Sequence, residues 1–244
     1  MPRSLKLSGI LSFLILGLVM GPAGAFAEKA KKKPHPALTP VTDVDGLPRV
    51  LLIGDSISMG YTVAVQEMMK GKANVHRPLT NCGPTTNGLA KLSDWLETGG
   101  SGKTWDLIHF NWGLHDLKYM GPNKENLSDP NAETSKPQVS QEDYRKNLTA
   151  LVSQLKETGA TLIWRNTTPV PEGARGRVVG DSAIYNAIAA EVMDKADVEI
   201  HDLYTFAKER ADEIQKKADV HYTPEGSRVL AADVVRVIEA SLAE

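Results

Sequence analysis

A serine and a histidine, far apart in the sequence, have the surroundings that nucleophilic catalysis requires. Ser56 ends the block Gly54-Asp55-Ser56, which directly follows the apolar run Val50–Ile53. His221 lies in a polar loop just before a helix start that Thr223 and Pro224 mark. A serine hydroxyl needs a base, and the base needs an orienting group, for which Asp219 is close enough. Taken alone, a serine at this position is more often a helix N-cap than a nucleophile.

Two further polar segments follow predicted strands and contain groups that can stabilise an oxyanion. Asn81–Gly88 follows the weak strand Val75–Leu79, and the backbone N–H of Gly83 is a candidate donor. The block Asn111–Asp116 follows the strand Trp105–Trp112, and its candidate donors are Asn111 and His115. A plain turn and a structural histidine are the alternatives for these two segments.

The elements around these segments follow a strand–loop–helix pattern that repeats about five times. Buried apolar runs alternate with segments of helical spacing, which predicts a parallel sheet covered on both faces. In such sheets, ligands bind at the carboxyl ends of the strands, where the polar segments lie. The strands are expected near 50–53, 75–79, 105–112, 161–164 and 198–200, and the helices near 62–70, 89–100, 144–158, 184–196 and 224–242. Residues 117–140 are expected to form a long loop.

The four polar segments, in this order, resemble the blocks of the SGNH, or GDSL-like, hydrolases over roughly residues 49–240. The resemblance implies a three-layer α/β/α sandwich with a central five-stranded parallel sheet, the flavodoxin-like SGNH fold. It also implies that Ser56 is the nucleophile, that Gly83 donates to the oxyanion, and that Asp219 and His221 are acid and base.

Two positions depart from the family pattern. The third block of the family has an asparagine where this chain has His115, so His115 or Asn111 takes the oxyanion role. The family acid stands three residues before the histidine, where this chain has Ala218, and Asp219 is one residue displaced. A Ser56–His221 dyad assisted by a backbone carbonyl is the alternative to a triad.

The first 27 residues have the layout of a secretory signal peptide. Arg3 and Lys6 precede the apolar stretch Ile10–Met20, and Ala25-Phe26-Ala27 supplies small residues for cleavage. An uncleaved anchor is the alternative. We expect a disordered linker at 28–46, a hydrolase domain at 47–244, and a secreted or periplasmic protein that does not bind membranes after cleavage.

Composition excludes several classes of function. The formal net charge is −2 and no basic cluster indicates nucleic-acid binding. Cys82 is the only cysteine, which excludes an internal disulfide, and we expect it to be small and buried rather than a nucleophile. A metal hydrolase using His109, His115, Asp116 and His221 lacks recognised ligand spacing, so no metal and no cofactor is expected.

The predicted activity is hydrolysis of a small-molecule or polysaccharide ester, with a short acyl group on a carbohydrate preferred. Trp112 and Trp164 lie near strand ends and either stack on sugar rings or pack in the core. The alternatives are a non-catalytic carbohydrate-binding protein on a decayed fold, and an enzyme that cleaves lipids or thioesters. The sequence does not indicate an oligomeric state.

Overall fold

The computed structural model describes Met1 and residues 34–243. The predicted signal peptide and residues 28–33 of the predicted linker lie outside the described residues. Within the described chain, residues 34–243 belong to one compact unit.

Five parallel strands form the central sheet, as the fold prediction requires. The strands of the described chain are β1 (Arg49–Ile53), β2 (Asn74–His76), β3 (Leu107–Phe110), β4 (Tyr119–Met120), β5 (Lys136–Pro137), β6 (Thr161–Arg165) and β7 (Glu199–His201). The sheet order is β2-β1-β3-β6-β7, whereas β4 and β5 form a separate antiparallel pair. All five residues of β1 are buried because a strand inside a parallel sheet is covered on both faces.

Helices cover both faces of this sheet. They are α1 (Ser56–Met68), α2 (Thr85–Leu96), α3 (Gln141–Lys156), α4 (Asp181–Ala196), α5 (Leu203–Lys208), α6 (Ala211–Ile214) and α7 (Pro224–Leu242), with a short 3₁₀ turn at Pro36–Leu38. Helix α1 packs closely on α7, and α3 packs on both α2 and α4. The three-layer α/β/α sandwich predicted from the sequence is confirmed.

The helix starts nearest the polar segments are set by capping. The Asp55 carboxylate accepts a hydrogen bond from the N–H of Ile57, so α1 begins at Ser56, six residues earlier than its composition indicates. Thr223 caps α7 by accepting from Gly226 N–H, and Pro224 occupies the first helical position as predicted. Both catalytic candidates therefore lie at or just before a helix N-terminus.

The described part of the predicted linker, residues 34–46, is packed rather than disordered. Ala37 is buried, and Asn74 hydrogen-bonds to both the N–H and the carbonyl of Val44. Asp43 forms an ion pair with Arg49 and a hydrogen bond with His76. The ordered unit thus begins before residue 47, because these short polar side chains find partners on the sheet edge, which composition alone does not reveal.

Two other segments differ from the sequence expectation. The predicted loop 117–140 contains the β4–β5 pair, and residues 203–214 contain the short helices α5 and α6. None of the described helices is long and apolar enough to cross a membrane.

Candidate active site

Ser56, His221 and Asp219 come together at the carboxyl end of the sheet. The Oγ of Ser56 lies 2.9 Å from His221 Nε2, and His221 Nδ1 lies 2.6 Å from Asp219 Oδ1. An acceptor on Nδ1 keeps the ring proton there, which leaves the Nε2 lone pair to accept the serine proton. This order of contacts is that of a nucleophile, a base and an orienting acid.

The loop before α7 lets an acid two residues before the histidine reach its ring. Ala218 has φ of +54°, a left-handed conformation that is uncommon outside glycine, and it turns the chain just ahead of Asp219. Asp219 Oδ1 accepts both the backbone N–H of His221 (3.1 Å) and its Nδ1–H. Partial burial opposes ionisation, but the hydrogen bonds from His221 outweigh it and lower the pKa of Asp219. The geometry favours the triad over the dyad.

One buried arginine, Arg77, holds the turn that presents Ser56, and a second, Arg165, lies beside it; the sequence reasoning missed both. Arg77 donates to the carbonyls of Gly54 and Thr80, which ties the nucleophile turn to the loop after β2. Arg165 donates to Asn111 Oδ1 at 2.7 Å, on the next strand. Burial lowers the pKa of Arg77. Burying a guanidinium is costly unless its N–H groups are satisfied, and carbonyls and hydroxyls satisfy Arg77, so we infer that it keeps the nucleophile turn rigid.

The N–H groups near Ser56 Oγ differ in their availability. The N–H of Ser56, at the first position of α1, donates to no acceptor within the described residues, as expected for the first turn of a helix. The N–H of Gly83 donates to Asn81 Oδ1 at 3.0 Å, and Gly83 has φ of +62°. The positive φ favours glycine at this turn, because residues with a Cβ rarely adopt that conformation; an added Cβ would also displace the Asn87 amide.

The structure separates the two candidate side-chain donors of the third block. The Nδ2 of Asn111 donates to Arg165 O at 2.7 Å and to Thr167 Oγ1 at 3.2 Å, inside the core. His115 is partly exposed, and its ring forms no hydrogen bond within the described residues. Asn111 is therefore occupied by strand contacts, whereas the imidazole of His115 is available.

Burial, together with nearby positive charges, favours the neutral form of the His115 imidazole. Burial lowers the pKa of His115, and the positive charges of Lys118, Arg177 and His221 lower it further, against the opposing charge of Asp55. A neutral imidazole retains one N–H, which is the group an oxyanion needs.

Asp116, the last residue of the third block, connects the two loops that carry the oxyanion candidates. Its Oδ1 accepts the N–H of Thr85 at 2.8 Å and the hydroxyl of Thr85 at 2.5 Å, so it fixes the start of α2 just after Gly83. Burial raises the pKa of Asp116 to about 7.

The remaining chemically reactive side chains lie in the core. His109 pairs with His201, which pairs with Asp233, in a buried chain. Cys82 is buried as expected, and burial raises the pKa of its thiol to about 11.

Trp112 and Trp164 are buried in the core rather than available to stack on sugars. No cluster of three metal-ligating side chains occurs in the described part of the chain.

Two clefts border the site. The first, of about 640 Å³, runs between α1 and α7, reaches Ser56 and His221, and is lined by apolar groups such as Met59, Val63 and Ala64. The second, of about 630 Å³, lies between residues 121–135 and 173–177 and is mainly polar. Ala218, beside Asp219, packs next to Gly173 at its end.

Comparisons with known proteins agree with this arrangement. The model of the GDSL-like lipase/acylhydrolase family matches residues 52–229. A search of curated protein sequences finds no significant match.

Among solved structures, an acetyl xylan esterase, AlAXEase, is 14% identical with a TM-score of 0.60, covering 78% of this chain and 99% of its own. A lipase/acylhydrolase from Enterococcus faecalis is 19% identical with a TM-score of 0.60, covering 80% and 96%. Axe2, an acetylxylan esterase from Geobacillus stearothermophilus, is 14% identical with a TM-score of 0.61, covering 78% and 94%.

At such identities the structural similarity establishes the fold, and the family model establishes the family. The match spans the segments of Ser56, Gly83, His115 and His221 in one continuous region. The chain belongs to the GDSL-like lipase/acylhydrolase family and is a carboxylic ester hydrolase.

Proposed function

We propose that this protein is an exported serine esterase that removes a short acyl group, such as acetyl, from a carbohydrate. The observation that carries the catalytic part is the contact chain from Ser56 Oγ to His221 Nε2 (2.9 Å) and from His221 Nδ1 to Asp219 (2.6 Å). Family membership argues against the non-catalytic alternative.

In the proposed mechanism, Ser56 Oγ attacks the ester carbonyl while His221 Nε2 takes its proton. The carbonyl electrons move to the oxygen, and the collapsing intermediate expels the alcohol, which receives the proton from His221. Water then attacks the acyl-serine with the same base, releases the acid and restores Ser56. In each half of the reaction, His221 takes up one proton and then releases it, first to the alcohol and then to Ser56.

Three donors are proposed for the oxyanion: the N–H of Ser56, the N–H of Gly83 and the imidazole N–H of His115. The Ser56 N–H is free within the described residues. The Gly83 N–H is held by Asn81 Oδ1, so it becomes available when the oxyanion replaces that side chain. Such donors stabilise charge as it develops, which raises kcat more than it lowers KM.

The test of the nucleophile is Ser56→Ala, with exposed Ser153→Ala on α3 as the matched control. We expect Ser56→Ala to lower kcat by about 10⁴-fold or more while Ser153→Ala retains wild-type activity. Labelling with a serine-directed phosphonate, followed by mass spectrometry, should modify Ser56 alone. Residual activity of Ser56→Ala within about tenfold of wild type would contradict the nucleophile assignment.

The carbohydrate preference rests on the polar second cleft and on the likeness to two proteins described as acetyl xylan esterases. A second candidate, a longer-chain acyl ester, is favoured by the apolar cleft that opens at Ser56 between α1 and α7. A series of p-nitrophenyl esters of increasing chain length, followed by acetylated polysaccharides, separates the two. A maximum at acetate supports the carbohydrate proposal, and a maximum at long chains supports the second candidate.

Export is proposed from the first 27 residues. Expression of the full chain with fractionation of the cells, followed by N-terminal sequencing, tests it. We expect mature protein that begins near Glu28 outside the cytoplasm. An intact N-terminus in the cytoplasmic fraction would contradict the proposal.

A further inference from the structure

Two cationic side chains beside His115 have no anionic partner. Arg177 donates through Nε to the carbonyl of Leu114 at 3.1 Å, which places its guanidinium against the residue before His115. Its two terminal nitrogens form no hydrogen bond or ion pair within the described residues. Arg177 is partly buried and lines the polar second cleft.

Lys118 approaches the same space from the third block. The N–H groups of Asp116 and Leu117 both bond to Gly113 O, so a tight turn at residues 113–117 contains His115 and leads directly to Lys118. Lys118 is only 9% exposed, yet its ammonium forms no ion pair within residues 34–243. Because buried lysines are almost always paired, an unpaired one is a candidate to bind an anionic ligand.

Both cations act electrostatically on His115. The charges of Lys118 and Arg177 each help to lower the pKa of His115, after burial. Burial lowers the pKa of Lys118 itself, and the charge of Arg177 adds to that effect.

The nearby carboxylates are otherwise engaged. Asp55 caps Ile57, and Asp219 holds His221. Asp116, whose charge acts on Lys118, accepts from Thr85. Glu125 and Asp129 line the second cleft with Arg177, but neither forms an ion pair with either cation within the described residues. The two cations are therefore not neutralised by a bonded acid on any neighbouring element.

We propose that Arg177 and Lys118 form a subsite for a carboxylate on the substrate, so that the enzyme prefers acylated uronic acids to acylated neutral sugars. Because Nε of Arg177 is occupied, its two terminal nitrogens present an end-on fork, which matches the two oxygens of a carboxylate. Lys118 adds a point charge beside that fork. The subsite rests on the proposed function and names its substrate class.

The experiment compares acetyl release from methyl O-acetyl-glucuronoside and methyl O-acetyl-glucoside, which differ only in the carboxylate. We expect a ratio of kcat/KM of about 10 to 100 in favour of the uronoside at low salt, and a smaller ratio at high salt. Arg177→Met and Lys118→Met remove the charges but keep apolar stems. Each should reduce the ratio toward one, chiefly through a higher KM for the uronoside.

The matched control is Lys70→Met, which removes one exposed charge beyond the C-terminal end of α1, away from the site. It should leave the ratio at the wild-type value. Because the ratio compares two substrates on one preparation, partial unfolding of a variant cancels out of it. A wild-type ratio near one, or a ratio that both variants leave unchanged, would overturn the subsite.

Competing anions identify the chemistry that the subsite binds. Methyl glucuronoside without an ester should inhibit the wild-type enzyme competitively and should inhibit Arg177→Met more weakly. Stronger inhibition by inorganic phosphate than by the glucuronoside would overturn the carboxylate assignment. The proposed function is tested by a different result. If neither sugar ester is hydrolysed in a Ser56-dependent way, the esterase proposal itself is wrong.

Discussion

Asp219 is the residue whose replacement tests the active-site geometry most sharply. Its Oδ1 accepts two hydrogen bonds from His221, one from the backbone N–H and one from Nδ1. In Asp219→Asn the amide oxygen can keep both, because the backbone N–H holds that oxygen toward the ring. The amide nitrogen then faces away, the proton stays on Nδ1, and the variant loses only the negative charge.

The lost charge sets the size of the effect. Two unit charges about 4 Å apart interact by about 1 kcal/mol in water and about 4 kcal/mol near a protein surface. The side chains of His221 and Asp219 are 43% and 44% exposed, so solvent screens the pair toward the lower limit. With about 1–2 kcal/mol lost from the transition state, kcat/KM of Asp219→Asn should fall by roughly 5- to 30-fold.

Asp219→Ala is the companion variant, because it removes the acceptor as well as the charge. Loss of control over the ring proton should lower kcat/KM by about 10²- to 10³-fold, less than the roughly 10⁴-fold seen when a buried triad acid is altered. The assay is initial-rate hydrolysis of p-nitrophenyl acetate. Equal losses of kcat/KM in the two variants would refute the argument that the amide oxygen of Asp219→Asn keeps both hydrogen bonds. Wild-type kcat/KM in Asp219→Ala would instead support a Ser56–His221 dyad.

The other predictions concern the third block and the buried titratable groups. His115→Ala should lower kcat by about 10²- to 10³-fold with little change in KM, whereas His115→Asn should retain much of the activity; a silent His115→Ala beside an inactive Asn111→Ala would return the role to Asn111. Burial lowers the pKa of His109 well below its usual range, so its contribution to stability is present above about pH 6.5 and is lost as pH falls. The urea midpoint should therefore drop on acidification less in His109→Leu than in wild type, and equal drops would contradict this. Burial raises the pKa of Asp116 to about 7, so its contribution is lost as pH rises through that value. The free energy of unfolding of Asp116→Asn relative to wild type should thus increase from about pH 5 to about pH 8, and a constant difference would count against it.

The sequence predicted the sheet well because its signals are local and strong. Val50–Ile53 is a continuous apolar run, and Thr223-Pro224 marks a helix start, so β1 and α7 were located closely. Helices α5 and α6 were missed because six and four residues are too few for a periodic pattern. Asp202, which caps α5 at Thr205, was the available signal.

For the site, the sequence showed the order of the polar segments but not which hydrogen-bond partner each side chain has. Asn111 and His115 are both polar residues after β3, and only the fold reveals that Arg165 holds the Asn111 side chain. Arg77 was missed because arginine is usually exposed, so no local pattern predicts a buried guanidinium. Asp219 was named as the candidate acid from its place in the sequence, but its contact with His221 depends on the left-handed turn at Ala218, which composition does not specify.

The burial of Cys82 has a practical consequence for spectroscopy. It is the only thiol in the chain, it is inaccessible, and burial raises its pKa to about 11, so it is almost entirely protonated at neutral pH. The natural sequence therefore behaves toward maleimide dyes as a cysteine-free background. A single cysteine placed on the exposed rim of the polar cleft would carry one fluorophore or spin label, with no native residue to remove first.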